Sequence, residues 1–284
     1  MLEIRSLEEA EKEFSTEAKC VAYLIKKRWP SGVVCPRCGT KHPAYMPRYR
    51  RWYCKTCDYS FSITAGTIFH ATKLPLTKWM VAVWFLCHSP KGCSAKQLER
   101  ILGVHYETAW SMAHRIRKAM GNDAGKLGGL IEIDSAVIKA DGGKATGNIS
   151  YGAKDVLGVA ERGGELRLFV LDSLSKANIV HVVLRNLGKV ETVYTDACYK
   201  LRFLSKLYPH KSINHWLTYG DEDAHVNQLE NAFSLFKRGL SGLFQHVSAK
   251  YLQLYLDEFA FRYSHRKEKR VLFDLVLANS EAGR

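Results

Sequence analysis

Long apolar runs are missing from this 284-residue chain. No stretch approaches the ~18 consecutive apolar residues of a membrane-spanning helix, which argues against an integral helical membrane protein. The opening residues, MLEIRSLEEAEKEF, are acidic and helical in pattern and lack the cationic and apolar regions of a secretory signal. A cytoplasmic protein is therefore expected, nucleoid-associated if bacterial. Internal repeats and long low-complexity tracts are also absent, which removes solenoids and extended disorder from consideration. Acidic residues are scarce at the front: residues 1–126 hold 10 Asp/Glu against 21 Lys/Arg, whereas the other 158 hold 18 against 21. Such a basic excess attracts phosphates and releases counterions on contact, so the front half is expected to face a polyanion, with nucleic acid favoured over membrane.

With 46% hydrophobic and 11% aromatic residues, the chain has enough material for one large domain or two to three small ones. Eight cysteines in a chain without an export signal are better read as metal ligands and reduced thiols than as disulfides. Cys35-Pro-Arg-Cys38 and Cys54-Lys-Thr-Cys57 are two C-x2-C pairs fifteen residues apart. Two such knuckles supply the four tetrahedral ligands of a closed, structural zinc site. Tyr45, Trp52, Tyr53 and Phe61 would cover a core held mainly by the metal. Arg37, Lys41, Arg48, Arg50, Arg51 and Lys55 decorate the same segment, with no acid before Asp58, and point to phosphate contact rather than a merely solvated face. Cys20, Cys87, Cys93 and Cys198 stand singly and are expected as plain thiols.

Residues 7–28 have helical spacing at Phe14, Ala18, Val21 and Leu24 and predict one helix closed by Lys26-Lys27-Arg28 and Pro30. Pro75 can open another helix through Trp79, Val83 and Leu86. From Ser94, a capped helix with Leu98, Ile101 and Leu102, a Gly103-Val104 turn, and a second helix with Ala109, Met112 and Ile116 inward have the layout of a helix-turn-helix. Its second helix would present His105, Glu107, Thr108, Ser111 and Arg115; an αα-hairpin in a bundle is the alternative, and charge favours DNA. The candidate DNA-binding cations are Arg48, Arg50, Arg51, Lys96, Arg115, Arg117 and Lys118, with Arg238 further on. A basic cluster, Arg262, Tyr263, His265, Arg266, Lys267, Lys269 and Arg270, follows a core helix and reads as another DNA-facing flank.

After the glycine-rich stretch 121–129 the pattern changes. Residues 130–138, 155–161, 165–171 and 191–196 read as strands, with a Gly163-Gly164 hairpin turn and a helix from Ser175 to Leu187. That order suits a ribonuclease H-like α/β layer. Glu132 and Asp134 share one face of the first strand, and Asp196 ends another apolar strand. In AHVNQLENAFSLFKRGL, Leu229, Phe233 and Phe236 form the buried side, while Asn227, Glu230 and Lys237 share another. Two strand-end aspartates plus a helix-borne Glu or Asn can hold two Mg²⁺ ions about 4 Å apart for phosphoryl transfer.

The blocks CPRCG, YCKTCDYSFSITAGTIFH, IEID, VYTD, HVNQLE with SLFKRG, and HVSAKYLQLYLDEFAFRYSHR span most of residues 20–266. Together they resemble the zinc-ribbon DDE transposases of the Merlin superfamily and related bacterial insertion-sequence transposases. The resemblance implies cut-and-paste or copy-type DNA transposition, inverted-repeat ends and target as double-stranded DNA partners, Mg²⁺ as catalytic cofactor and a homodimer or higher multimer on DNA. It also implies that Asp134 and Asp196 are the first two catalytic acids, that either Glu230 or Asn227 of the His225-x-Asn-x-x-Glu segment is the third, and that Lys237 contacts DNA. The chain departs from the family pattern in having Ser135-Ala136 after Asp134 and Ala197-Cys198 after Asp196.

The expected fold class is α/β, a ribonuclease H-like catalytic domain preceded by a zinc ribbon and a helix-turn-helix. The expected boundaries are an N-terminal helix 1–30, a zinc ribbon 31–72, a helical DNA-binding region 73–120, a linker 121–129, a catalytic domain 130–270 and a C-terminal tail 271–284. Two rival functions are a non-catalytic DNA-binding regulator derived from a transposase and a ribonuclease H-type nuclease that cuts without joining.

Overall fold

A computed structural model describes residues 4, 6–121, 125–140, 152–196, 198–213, 227–244, 247–267 and 272–279. The chain forms two compact units, one from residues 1–120 with 268–284, the other from 121–267.

The first unit opens with α1 (Leu7–Glu13) and α2 (Glu17–Arg28). The single helix expected over 7–28 is thus two. Thr16 is extended (φ −132°, ψ 150°), and its hydroxyl accepts from the Lys19 backbone N–H at 3.3 Å, so it starts a new helix where apolar periodicity alone continues through. Next come β1 (Ala44–Met46), β2 (Arg51–Cys54) and β3 (Tyr59–Phe61), an antiparallel sheet in chain order. Trp52 pairs with both Tyr45 and Phe61, and Trp29 meets its ring edge-on at 5.3 Å. Arg28 fastens the sheet's far end by donating to the carbonyls of Ile63 and Ala65.

Helix α3 (Leu76–His88) is buried almost all round, and its first N–H is satisfied by the Glu17 carboxylate at 2.9 Å. Helices α4 (Ala95–Leu102) and α5 (Tyr106–Ala119) follow. Ser94 and Gln97 form a reciprocal capping box at the start of α4, and Gly103 closes it in the left-handed region (φ 57°).

The second unit is a five-stranded mixed sheet. Strand β4 (Leu127–Lys139) is followed by β5 (Ala153–Glu161), β6 (Leu166–Leu171), α6 (Lys176–Asn186), β7 (Leu187–Asp196), β8 (His210–Ile213), α7 (Asn227–Gly239) and α8 (Leu252–Ser264). The spatial order is β6-β5-β4-β7-β8, antiparallel across β6-β5-β4 and parallel across β4-β7-β8. Two buried layers cover the sheet. Ile131, Ile133, Leu157, Val159 and Val193 pack with Ile179 and Val183 of α6. On the other face, Ile138, Val156, Ala160 and Leu168 pack with Leu229, Phe233 and Phe236 of α7 and Leu252 and Leu256 of α8.

Residues 127–129, expected as linker, belong to β4. A β-carbon on Gly128 would stand 2.8 Å from the Lys189 carbonyl oxygen, so the glycine that reads as loop lets two strands approach. Residues 272–278, expected as part of a tail, form α9 (Leu272–Ala278) in the first unit. There Phe273 packs against Phe14 and Tyr23, and Asp274 accepts from the Tyr23 hydroxyl and pairs with Lys27 at 2.6 Å. That hydrogen bond and burial push the Tyr23 phenol far above its ordinary value, burial being the larger cause.

Candidate functional site

The four knuckle cysteines converge. Cys35 and Cys57 Sγ lie 3.7 Å apart, Cys38 and Cys54 Sγ 3.6 Å, and all four sulfurs fall within 4.8 Å of one another. A tetrahedral Zn²⁺ with Zn–S bonds of about 2.3 Å needs sulfurs about 3.8 Å apart, so the donor set and spacing fit a structural zinc. Each knuckle ends in a left-handed residue directly after its second cysteine, Gly39 (φ 76°) and Asp58 (φ 52°), and Asp58 is held by the Tyr53 hydroxyl at 2.7 Å. Arg48, Arg50 and Arg51 are all exposed on this small sheet, beside the exposed rings of Tyr45 and Tyr49. Of the single cysteines, Cys20, Cys87 and Cys93 are buried; burial pushes the Cys20 thiol up to about 11.

In α4 and α5 the inward residues Leu98, Leu102, Ala109, Met112 and Ile116 are buried as expected, and Lys118, His105, Glu107 and Ser111 are exposed. Two of the expected DNA-binding cations are withdrawn from solvent, one wholly and one in part. Arg117 is 1% exposed and donates to the Cys93 carbonyl at 3.0 Å, which corrects its assignment as a phosphate contact. Arg115 is half-buried, donates to the His70 carbonyl and lies 5.1 Å from the Trp79 ring centre. Desolvation there lowers its pKa. Lys96 is exposed and pairs with Glu99.

The acids of the second unit share one face of the sheet. Glu132 pairs with Tyr194 and Ile133 with Thr195 across the parallel ladder, which carries Asp134 and Asp196 to the next rung of neighbouring strands. On its other side Asp134 pairs with Gly158, and a β-carbon there would run into Leu229 and Phe233 of α7. Asp134 therefore points toward α7, where Asn227 and Glu230 stand exposed in the first turn. Asp134 and Asp196 are half-buried, and Asp134 Oδ1 accepts from the Ser135 N–H at 2.7 Å. Among the described residues, the four cysteines form a set of metal-ligating groups whose ligand atoms all lie within 4.8 Å of one another. Lys237 and Arg238 are exposed at the end of α7. His225, Lys269 and Arg270 lie outside the described residues.

Two polar groups at this face carry no strong sequence signal. Arg162 precedes the Gly163-Gly164 turn, and its guanidinium lies over the Tyr194 ring, 3.8 Å from the centre. Gln228 follows Asn227 and bonds the same turn. A cation at a hairpin and a glutamine in a helix both read as solvated until the fold brings them to Glu132. At the basic C-terminal flank, Arg262 pairs with the buried carboxylate of Glu258, and Arg266 lies over the Tyr263 ring.

Comparison with known proteins finds a match in each unit. The family model of the ISXO2-like transposase domain matches residues 126–264, and that of the transposase zinc-ribbon domain matches residues 15–60. The chain is also 29% identical over 277 residues to an uncharacterized protein in transposable element ISH50 of Halobacterium salinarum, covering 88% of this chain and 92% of that one. No helix among the described residues is long and apolar enough to cross a membrane.

Proposed function

We propose that this chain, which matches the models of the transposase zinc-ribbon domain and the ISXO2-like transposase domain, is an active, metal-dependent DNA transposase of an insertion sequence. It hydrolyses a phosphodiester at each element end to leave a free 3′-OH, and that hydroxyl then attacks a phosphodiester of target DNA. The observation that carries this reading is the parallel register of β4 and β7, which sets Asp134 and Asp196 side by side on the face covered by the helix bearing Glu230. The strand order, with three antiparallel strands continued by two parallel ones, supports reading the second unit as ribonuclease H-like.

In this reading Asp134, Asp196 and Glu230 would hold two Mg²⁺ ions, with Asn227 as neighbour or substitute for the third ligand. Bound there, such ions would activate the attacking oxygen and stabilise the leaving one. The Ser135 N–H holds one oxygen of Asp134. Lys237 and Arg238, toward the far end of α7, engage the phosphates that flank the scissile bond. The zinc ribbon, through Arg48, Arg50 and Arg51, and the α4–α5 pair, through Lys96 and Lys118, hold the element's double-stranded ends. A homodimer or larger multimer pairs the two ends.

The test is Mg²⁺-dependent nicking and strand transfer on labelled DNA carrying the element's ends, comparing the parent with Asp134→Asn, Asp196→Asn, Glu230→Gln and Asn227→Ala. Loss of cleavage with DNA binding retained in the acid variants supports the reading, and the last two variants identify the third ligand. A parent that binds the ends yet never cuts them with Mg²⁺ or Mn²⁺ overturns it in favour of a DNA-binding regulator.

A further inference from the structure

Glu132 has no part in the acid site just described, although it stands on the same strand face two residues before Asp134. Its side chain is 1% exposed. Oε1 accepts from Arg162 Nε at 3.2 Å, and Oε2 accepts from the backbone N–H of Gln228, also at 3.2 Å. Gln228 is the second residue of α7, and the first-turn N–H groups of a helix have no acceptor within it. A buried carboxylate on one of them is a cap supplied by another element. Gln228 also spans the β5–β6 turn, its Oε1 accepting from the Gly163 N–H at 3.1 Å and its Nε2 donating to the Glu161 carbonyl at 3.3 Å. Arg162 completes the frame: its backbone N–H donates to the Leu130 carbonyl and its guanidinium lies over Tyr194 of β7. The strand carrying Asp134, the strand carrying Asp196, one hairpin turn and the helix carrying Glu230 therefore meet at a single ion pair, whose carboxylate is buried and whose guanidinium is partly exposed.

Desolvating two charges offsets most of their mutual attraction, so such a pair is a poor source of stability and a good means of fixing one geometry. We propose that Glu132 and Arg162 are positioning residues for the acid site, locking the first turn of α7, and with it Glu230, at one height against the strands of Asp134 and Asp196. This inference rests on the two-metal reading above. Gln228 and Glu230 are separated by about 3 Å of helix rise, so axial play at the first is passed on to the second undiminished.

The experiment uses the full zinc-loaded chain with Mn²⁺ as the probe, in parent, Glu132→Gln and the double variant Glu132→Met/Arg162→Met. The double variant removes both charges together and so leaves no unpaired charge in the interior. Mn²⁺ binding is read by electron paramagnetic resonance, with Asp134→Asn identifying the ions held by the acids, and order in α7 is read by amide hydrogen exchange. In the double variant, exchange at the start of α7 is expected to speed up at least about tenfold and the Mn²⁺ dissociation constant to rise about 10–100-fold, with zinc content and cooperative unfolding retained. Glu132→Gln, which keeps an acceptor for the Gln228 N–H, falls between. A folded double variant with the exchange and Mn²⁺ affinity of the parent overturns the positioning role alone. If the parent's Mn²⁺ binding is already indifferent to Asp134→Asn, the two-metal reading fails and takes this inference with it.

Discussion

Gly158 stands directly across the β4–β5 ladder from Asp134, and Leu229 and Phe233 of α7 rest on it. A β-carbon at 158 would lie 2.7 Å from Leu229 Cδ2 and 3.0 Å from Phe233 Cζ, both in a closed core. The bare backbone there sets how closely the helix bearing Glu230 approaches the strand bearing Asp134. Gly158→Val is expected to cost about 1–3 kcal/mol by overpacking, measured by urea unfolding. Because the strain lifts α7, end cleavage should fall further than the unfolded fraction explains; cleavage in proportion to stability would count against the close approach mattering for the acids.

Removal of zinc addresses the other unit. Trp29 meets Trp52 of the small sheet, in the same unit as four thiols that converge on one point. Cys54→Ser, or chelation of the parent, should abolish the single bound zinc and shift tryptophan emission to the red as the ribbon opens. Elemental analysis with fluorescence checks both, and a metal-free ribbon with unchanged emission would show that aromatic packing suffices.

The cysteine spacing was legible because metal ligation imposes a local pattern that survives in one dimension, and the apolar strands around Asp134 and Asp196 were legible for a similar reason. What escaped depends on tertiary partners. Periodicity runs unbroken through Phe14, and only the Thr16 cap divides α1 from α2. Strand β8, His210–Ile213, is four residues without alternation and exists because β7 offers it an edge. Helix α9 is too short for its period to be recognised, and its place is fixed by Tyr23, Lys27 and Phe14. Arg117 looks like its neighbour Lys118 in the sequence, and burial alone separates them.

That pair gives a clean comparison. Arg117→Ala removes the donor to the buried Cys93 carbonyl and should cost about 1–3 kcal/mol of stability. Lys118→Ala should leave stability within about 0.5 kcal/mol and weaken DNA binding, lowering the salt slope by about one. Thermal unfolding and binding isotherms at several salt concentrations check these outcomes. A folded Arg117→Ala protein with a reduced salt slope would return Arg117 to the DNA-binding set.

Tyr23, Lys27 and Asp274 predict that α9 supports the first unit. Replacing Asp274 with Asn keeps an acceptor for the tyrosine hydroxyl but removes the charge facing Lys27, so the loss should stay below about 1 kcal/mol. Asp274→Ala also leaves the half-buried phenol without this acceptor and should cost more, about 1–3 kcal/mol. Urea midpoints of the two variants separate these contributions, and equal losses would mean that the ion pair, not the hydrogen bond, holds α9.

His210 makes the stability of the sheet edge depend on pH. Its Nε2 lies 2.9 Å from the hydroxyl of Thr195, which is wholly buried one residue before Asp196, and desolvation lowers the imidazole pKa below its ordinary 6.5. The unfolded chain therefore takes up a proton at a higher pH than the folded one. As pH falls below about 6.5 the unfolded state gains protons first, so stability present above that value declines until the folded imidazole also titrates. His210→Gln should flatten unfolding free energy against pH over this window while the parent slopes upward. Parallel curves would place the pH dependence elsewhere, whereas a flattened one would tie the edge of the strand ending in Asp196 to the charge on a single imidazole.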